Sequence, residues 1–146
     1  MRNSLRYVMQ RHPFKIDAFV LLPDHIHCIW TLPQDDSDFS TRWRLVKEYF
    51  SRRCDDHIRD VVSDSRRNKK EQAIWHRRFW EHAIRDDEDY NRHVDYIHYN
   101  PVKHALVKAP KDWLYSSFHQ YVRSGYYNEM WGAKQDILFS DDVGRE

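Results

Sequence analysis

Two histidines one residue apart, His25 and His27, interrupt an apolar run in the stretch "PDHIHCIW". Alternate residues of a strand share a face, so both imidazoles would project from the same side. Paired imidazoles at this spacing suit a divalent metal, and a carboxamide oxygen could complete the set. Asn100 offers that oxygen, and Tyr96 precedes it by about one helical turn. Imidazole and oxygen donors accept Mg²⁺, Mn²⁺ or Zn²⁺. Such a cation polarises a phosphodiester and shields its charge while a nucleophile approaches. Tyrosine is a poor nucleophile as a phenol, with a pKa of about 10, and needs deprotonation and close positioning. Metal-assisted attack by a phenolic oxygen on a phosphate is therefore the chemistry that these residue types suggest. The bland alternative is a pair of strand histidines with ordinary hydrogen bonds, and Tyr99 competes with Tyr96 as nucleophile.

The elements that would hold these residues follow from local pattern. Residues 3–12 read as a short amphipathic helix closed by Pro13. "KIDAFVLLP" (15–23) and "HIHCIWTL" (25–32) read as two strands joined by a turn at Pro23-Asp24. Ile26, Cys28, Trp30 and Leu32 then form the core face of the second strand, with His25, His27, Ile29 and Thr31 on the other. A helix follows, capped by Ser40 or Thr41 and running to about Cys54. "FWEHAIR" (79–85) reads as another strand. The acids of "RDDEDYNRHVDYIHYN" mark a helix N-terminus. On that helix Tyr90, Val94 and Ile97 form the core stripe, and Tyr96 lies roughly 100–160° away, which predicts a presented hydroxyl. Asn100-Pro101 fits an N-cap and first position of a new short helix, "PVKHALV". "SSFHQYVRSG" reads as a last helix, capped by Ser116 or Ser117 and stopped by Gly125.

The 146 residues suit one domain, 1–146, with a proper core. No apolar run approaches the ~20 residues needed to cross a bilayer, and the N-terminus lacks the apolar centre of a signal peptide. With two cysteines, Cys28 and Cys54, this points to a reducing compartment, the cytoplasm by default. A Cys54/His57 contribution to a zinc site is a weaker reading, since Cys54 closes an apolar helical face. The net charge is only +1, but basic residues gather between Arg42 and Arg78, in a chain with six Trp, nine Tyr and seven Phe. Arginine beside flat aromatic faces suits bases and phosphates. Arg42, Arg44, Lys47, Arg77 and Arg78 are the DNA-contact candidates; the alternative is a solvated surface. His82 and His98 read as local hydrogen-bonding residues before proton carriers.

Four stretches, "LLPDHIHCIWTLP", "FWEHAIR", "HVDYIHYNPVKHALV" and "DWLYSSFH", together closely resemble the REP-associated tyrosine transposases, relatives of the single-tyrosine transposases of the IS200/IS605 group. The resemblance runs from about Phe14 to about Tyr121. It implies an α+β, ferredoxin-like antiparallel sheet with packed helices. The strand that precedes the first helix in the family is missing here, and residues 55–74 are longer than the usual connection. It further implies a single-strand DNA endonuclease and strand-transfer enzyme that uses a divalent metal, Mg²⁺ or Mn²⁺. The substrate would be a palindromic DNA hairpin, cut through a 5′-phosphotyrosine link. His25 and His27 would be metal ligands, Asn100 the third ligand and Tyr96 the nucleophile. The alternative is a catalytically inactive hairpin-binding remnant.

Overall fold

The computed structural model describes residues 1–54, 74–75, 80–133, 137–139 and 143. The chain divides into two compact units, Met1–Lys15 with Leu32–Phe79 and Ile16–Thr31 with Trp80–Glu146.

The first unit holds two helices, α1 (Arg2–Met9) and α2 (Phe39–Arg53). α1 stops short of Pro13, which disfavours helical angles in the residue before it. Leu5 and Val8 of α1 and Val46 of α2 are buried, and Tyr7 stacks against Tyr49 with ring centroids 4.2 Å apart. The cap of α2 is not Ser40 or Thr41 but Asp38, whose carboxylate accepts from the Thr41 N–H at 3.1 Å. An acidic cap is the stronger choice at the positive end of a helix. Arg52 and Arg53 complement the other end.

The second unit is built on a hairpin of β1 (Lys15–Leu21) and β2 (Ile26–Thr31). The Leu22 N–H closes the turn on the His25 carbonyl at 2.9 Å. The free edge of β1 takes a short third segment: Leu21 N–H bonds the Tyr115 carbonyl and Ser117 N–H bonds the Phe19 carbonyl, at 2.8 and 2.9 Å. One antiparallel bridge, Val20 with Ser116, forms there. Next come α3 (Asp87–Lys103), a 3₁₀ turn (Pro110–Asp112) and α4 (Phe118–Arg123). The class is α+β, as the sequence implies. Among the described residues, however, the sheet amounts to two strands and a bridge, with β1 in the middle.

Ala18, Val20 and Leu22 of the hairpin meet Val94 and Ile97 of α3 and Phe118 of α4, with Tyr127 closing the cluster. Each Val, Leu, Ile or Phe among them contributes about 1.5–3 kcal/mol on burial. Ile29 packs against this cluster. The face of β2 that carries His25, His27 and Ile29 therefore looks toward α3, whereas pattern alone assigned the core to Ile26, Cys28 and Trp30. Burial nonetheless raises the Cys28 thiol far above its usual pKa, so it is an inert thiol.

Two further readings are corrected. Residues 80–85 form no strand among the described residues. Their polar groups go to side chains instead: Arg85 N–H and His82 Nε2 both donate to Asp89. Asn100-Pro101 does not start a new helix either; Pro101 lies inside α3. The proline removes one N–H, yet the ladder resumes at once, with His104 N–H on the Asn100 carbonyl at 3.0 Å. The helix ends at Lys103; beyond it Ala105 takes the left-handed conformation (φ 55°) and Leu106 N–H bonds the Pro101 carbonyl at 2.9 Å.

Candidate active site

β2 and α3 deliver the candidate site, and both belong to the second unit. The turn at Pro23-Asp24 sets His25 at the mouth of the hairpin, and the two-residue period puts His27 on the same side. Their rings meet edge to face, with centroids 4.9 Å apart. The Nδ1–H of His25 donates to the Asp24 carboxylate at 2.7 Å, which leaves its Nε2 as the lone-pair nitrogen. That hydrogen bond holds the Asp24 carboxyl below the usual range. A carboxylate behind an imidazole is the arrangement that orients metal-ligating histidines.

α3 brings Tyr96 to this pair. Its ring lies edge-on to His27, with centroids 5.3 Å apart. Asp86 caps the helix by accepting from Asp89 N–H at 2.8 Å, and Asp87, Glu88 and Asp89 fill the first turn. The stripe of Val94 and Ile97 is buried as the wheel requires. Tyr96, however, is not presented: it is 2% exposed, because Phe139 packs on its ring at 5.3 Å in addition to His27. Tyr99, the rival, packs against Trp131 at 6.2 Å and against Phe139.

Asn100 is fully buried within α3, and its Oδ1, like Nε2 of His25 and Nε2 of His27, is a buried atom. Two imidazole nitrogens and a carboxamide oxygen fit a divalent cation of the borderline or hard kind. Two residues missed in the sequence reading join them. His104, one turn beyond Asn100, sets its ring 5.1 Å from His25. Lys103 donates from Nζ to the Tyr96 hydroxyl at 2.9 Å. The signal for both was their helical spacing from Asn100 and Tyr96, visible only once α3 is known to continue through Pro101.

A separate group of His82, Asp89 and His93 could also hold a metal ion, with one ligand atom from each lying within 4.8 Å of the others. Asp89 is fully buried. Burial alone would raise its carboxyl, but hydrogen bonds from His82 and Arg85 outweigh this and hold it well below the usual range. His82 donates at 2.7 Å and Arg85 N–H at 3.0 Å, both to Oδ2. His93 Nδ1–H donates to the Asp89 backbone carbonyl at 2.8 Å, and its ring stacks on that of His82 with centroids 4.5 Å apart. His98 is likewise a local bonder, as read from the sequence. Its Nε2 pairs with Ser117 Oγ at 2.7 Å, and burial lowers its pKa to about 3, so it is neutral at pH 7.

The basic candidates diverge. Arg42 is 4% exposed, and its guanidinium bonds both oxygens of Asp36 and the carbonyls of Pro13 and Asp38, so it belongs to the framework of the first unit and leaves the list of DNA contacts. Arg44 stands in solvent beside Glu48 at 3.3 Å. Lys47 reaches toward Trp75, and partial burial lowers its pKa. Arg77, Arg78 and His57 lie outside the described residues.

No family model matches the chain. Individual proteins do. A Haemophilus influenzae relative is 42% identical over 142 residues, covering 97% of this chain and 80% of its own. An Escherichia coli K12 protein, named REP-associated tyrosine transposase, is 47% identical over 133 residues, covering 91% of this chain and 72% of its own. The chain belongs to the REP-associated tyrosine transposase family. A solved structure of a REP-associated tyrosine transposase bound to a REP hairpin superposes with a TM-score of 0.77 at 42% identity, covering 99% of this chain and 78% of that one. This family member thus shares the α+β class of that structure. No helix among its described residues is long and apolar enough to cross a membrane.

Proposed function

We propose that this chain is a metal-dependent single-strand DNA endonuclease and strand-transfer enzyme that cuts beside a palindromic hairpin. Tyr96 is the nucleophile; its oxygen attacks the backbone phosphorus, forms a 5′-phosphotyrosine and frees a 3′-hydroxyl. The observation that carries this reading is the contact of His27 with both His25 and Tyr96, which joins a candidate metal pair to a phenol on a distant segment. The relative solved with a REP hairpin supports the substrate class.

His25, His27 and Asn100 would hold Mg²⁺ or Mn²⁺, which when bound polarises the phosphodiester. Asp24 keeps His25 in the tautomer whose Nε2 carries the lone pair that would coordinate. α3 fixes the angle at which the Tyr96 oxygen is offered. Because Phe139 packs on the Tyr96 ring, that contact must open before a phosphate can reach the oxygen. Arg44, Lys47, Arg77 and Arg78 would supply phosphate contacts.

The burial of Tyr96 favours one second reading, a hairpin-binding protein without catalysis. A single experiment separates the two. The protein is incubated with a REP-type hairpin oligonucleotide and Mn²⁺, Mg²⁺ or EDTA, and covalent adduct is scored on a denaturing gel. Cation-dependent adduct that disappears in Tyr96→Phe supports the enzyme. A salt-sensitive gel shift with no adduct under any cation supports the binding protein, and nicking by Tyr96→Phe at full rate refutes the assigned nucleophile.

A further inference from the structure

Tyr96 and Lys103 are seven residues apart on α3, about two turns, so they rise from nearly the same face. Pro101 between them leaves the helix intact, and this keeps Lys103 on that face. Lys103 is exposed while Tyr96 is buried, so the lysine reaches from solvent to an otherwise enclosed hydroxyl. Its Nζ lies 2.9 Å from the phenolic oxygen but 4.8 Å from the ring centroid. These two lengths put the ammonium nearer the oxygen than the ring centre. The contact is a charge-assisted hydrogen bond to the phenolic oxygen, with the same cation within reach of the ring.

We propose that Lys103 is a catalytic residue of the tyrosine reaction, a fixed positive charge that stabilises the charge developing where the Tyr96 oxygen enters and leaves phosphorus. This rests on the reading of Tyr96 as the nucleophile. In the forward step the O–P bond to Tyr96 forms as the P–O3′ bond breaks. The phenolic proton passes to water, and the 3′ oxygen takes one from water. In the reverse step the 3′-hydroxyl attacks the phosphotyrosine and gives up its proton to water. The Tyr96 oxygen then leaves as an anion beside the ammonium before regaining a proton from solvent. Lys103 keeps its three protons throughout. Its contribution is a preorganised charge at the place where charge appears, the kind of donor whose removal costs about 10²–10³ in rate.

The bland alternative is a lysine that contacts the DNA backbone or only packs on the phenol. Single-turnover adduct formation and hairpin affinity are measured for the wild type, Lys103→Met, Lys103→Arg and Tyr96→Phe. Two hairpins are used, one with the normal 3′ oxygen at the scissile bond and one with a bridging sulfur in its place. The expected result is that Lys103→Met binds both hairpins like the wild type but forms adduct about 100-fold more slowly. Lys103→Arg recovers most of the rate, because it keeps the charge. The sulfur, a better leaving atom, does not rescue Lys103→Met, because the lysine acts on the entering oxygen. Wild-type rates in Lys103→Met, a defect that lies wholly in hairpin affinity, or full rescue by sulfur would each overturn the proposal. Adduct formed by Tyr96→Phe would instead overturn the underlying assignment, which keeps the two failures apart.

Discussion

Two groups in the second unit each bring two histidines to an oxygen-bearing side chain of α3. Around Asp89 the oxygen is a buried carboxylate that already accepts from His82 and from the Arg85 backbone, and the imidazoles lie flat on one another. Around Tyr96 the imidazoles meet edge to face, one is oriented from behind by Asp24, and the oxygen is a phenol held by Lys103. The first arrangement ties the segment at 80–85 to the start of α3. The second sets a phenol beside an ammonium. Histidine content does not separate them; what separates them is the oxygen itself, a carboxylate whose Oδ2 takes donors from His82 and the Arg85 backbone in one group and a phenol beside an ammonium in the other. The arginines divide as well: Arg42 is buried against Asp36 and two carbonyls, whereas Arg44 stands in solvent.

This comparison can be broken at several points. Tyr96→Phe should lower adduct formation by more than about 10³-fold, the scale for loss of a covalent nucleophile, with hairpin binding kept. Residual adduct mapped to Tyr99 would erase the distinction drawn above. His25→Ala or His27→Ala should reduce adduct about 10²–10³-fold without unfolding the protein, and chelation of divalent cations should do the same to the wild type. Asp89→Ala should do the reverse. It strands His82 and Arg85 donors around a buried hole and should cost about 2–3 kcal/mol in denaturant unfolding, while folded protein keeps its adduct rate. A larger loss of activity than of stability would give the Asp89 group a role in the reaction.

Acid should sharpen the contrast further. His98, packed between Ser117 and Tyr127, has a folded pKa of about 3 against an ordinary value of 6.5. Below pH 6.5 the unfolded chain binds a proton that the folded chain refuses, so stability falls as the pH drops toward 3. At pH 5 this one group should cost about 2 kcal/mol, and His98→Gln should flatten the slope of unfolding free energy against pH. Asp89, held below the usual carboxyl range, adds loss in the same direction at still lower pH. The smallest effect concerns the basic residues. Neutralising Arg44 should reduce the salt slope of hairpin binding by about one phosphate contact, whereas Arg42→Met should leave the slope unchanged and lower stability.

Much of the site was legible before any coordinates. The period of two in "HIHCIW" places His25 and His27 together, because alternate residues on a strand share a face. The acids after Arg85 announce the start of α3, and the stripe of Val94 and Ile97 orients it. Those signals are local: each depends on residues within one or two turns. Four spans of motif added the family, which implies the same roles for Tyr96 and Asn100 that residue type and spacing suggest. What misled was also local. Pro101 reads as a helix start, and "FWEHAIR" reads as a strand, since propensity weighs a segment without its neighbours.

Tertiary structure alone decided which side of β2 faces the core, that Tyr96 is enclosed, and that Lys103 and His104 reach the histidines and the phenol. It also decided that Arg42 is framework and that Asp89 is surrounded. Several of the deciding partners are remote in sequence: Phe139 for Tyr96, Ser117 for His98, Pro13 for Arg42. A chain's own pattern can state where a side chain points along its element. Whether that direction ends in solvent, in a carboxylate or in another ring depends on which distant surface the hydrophobic core brings against it.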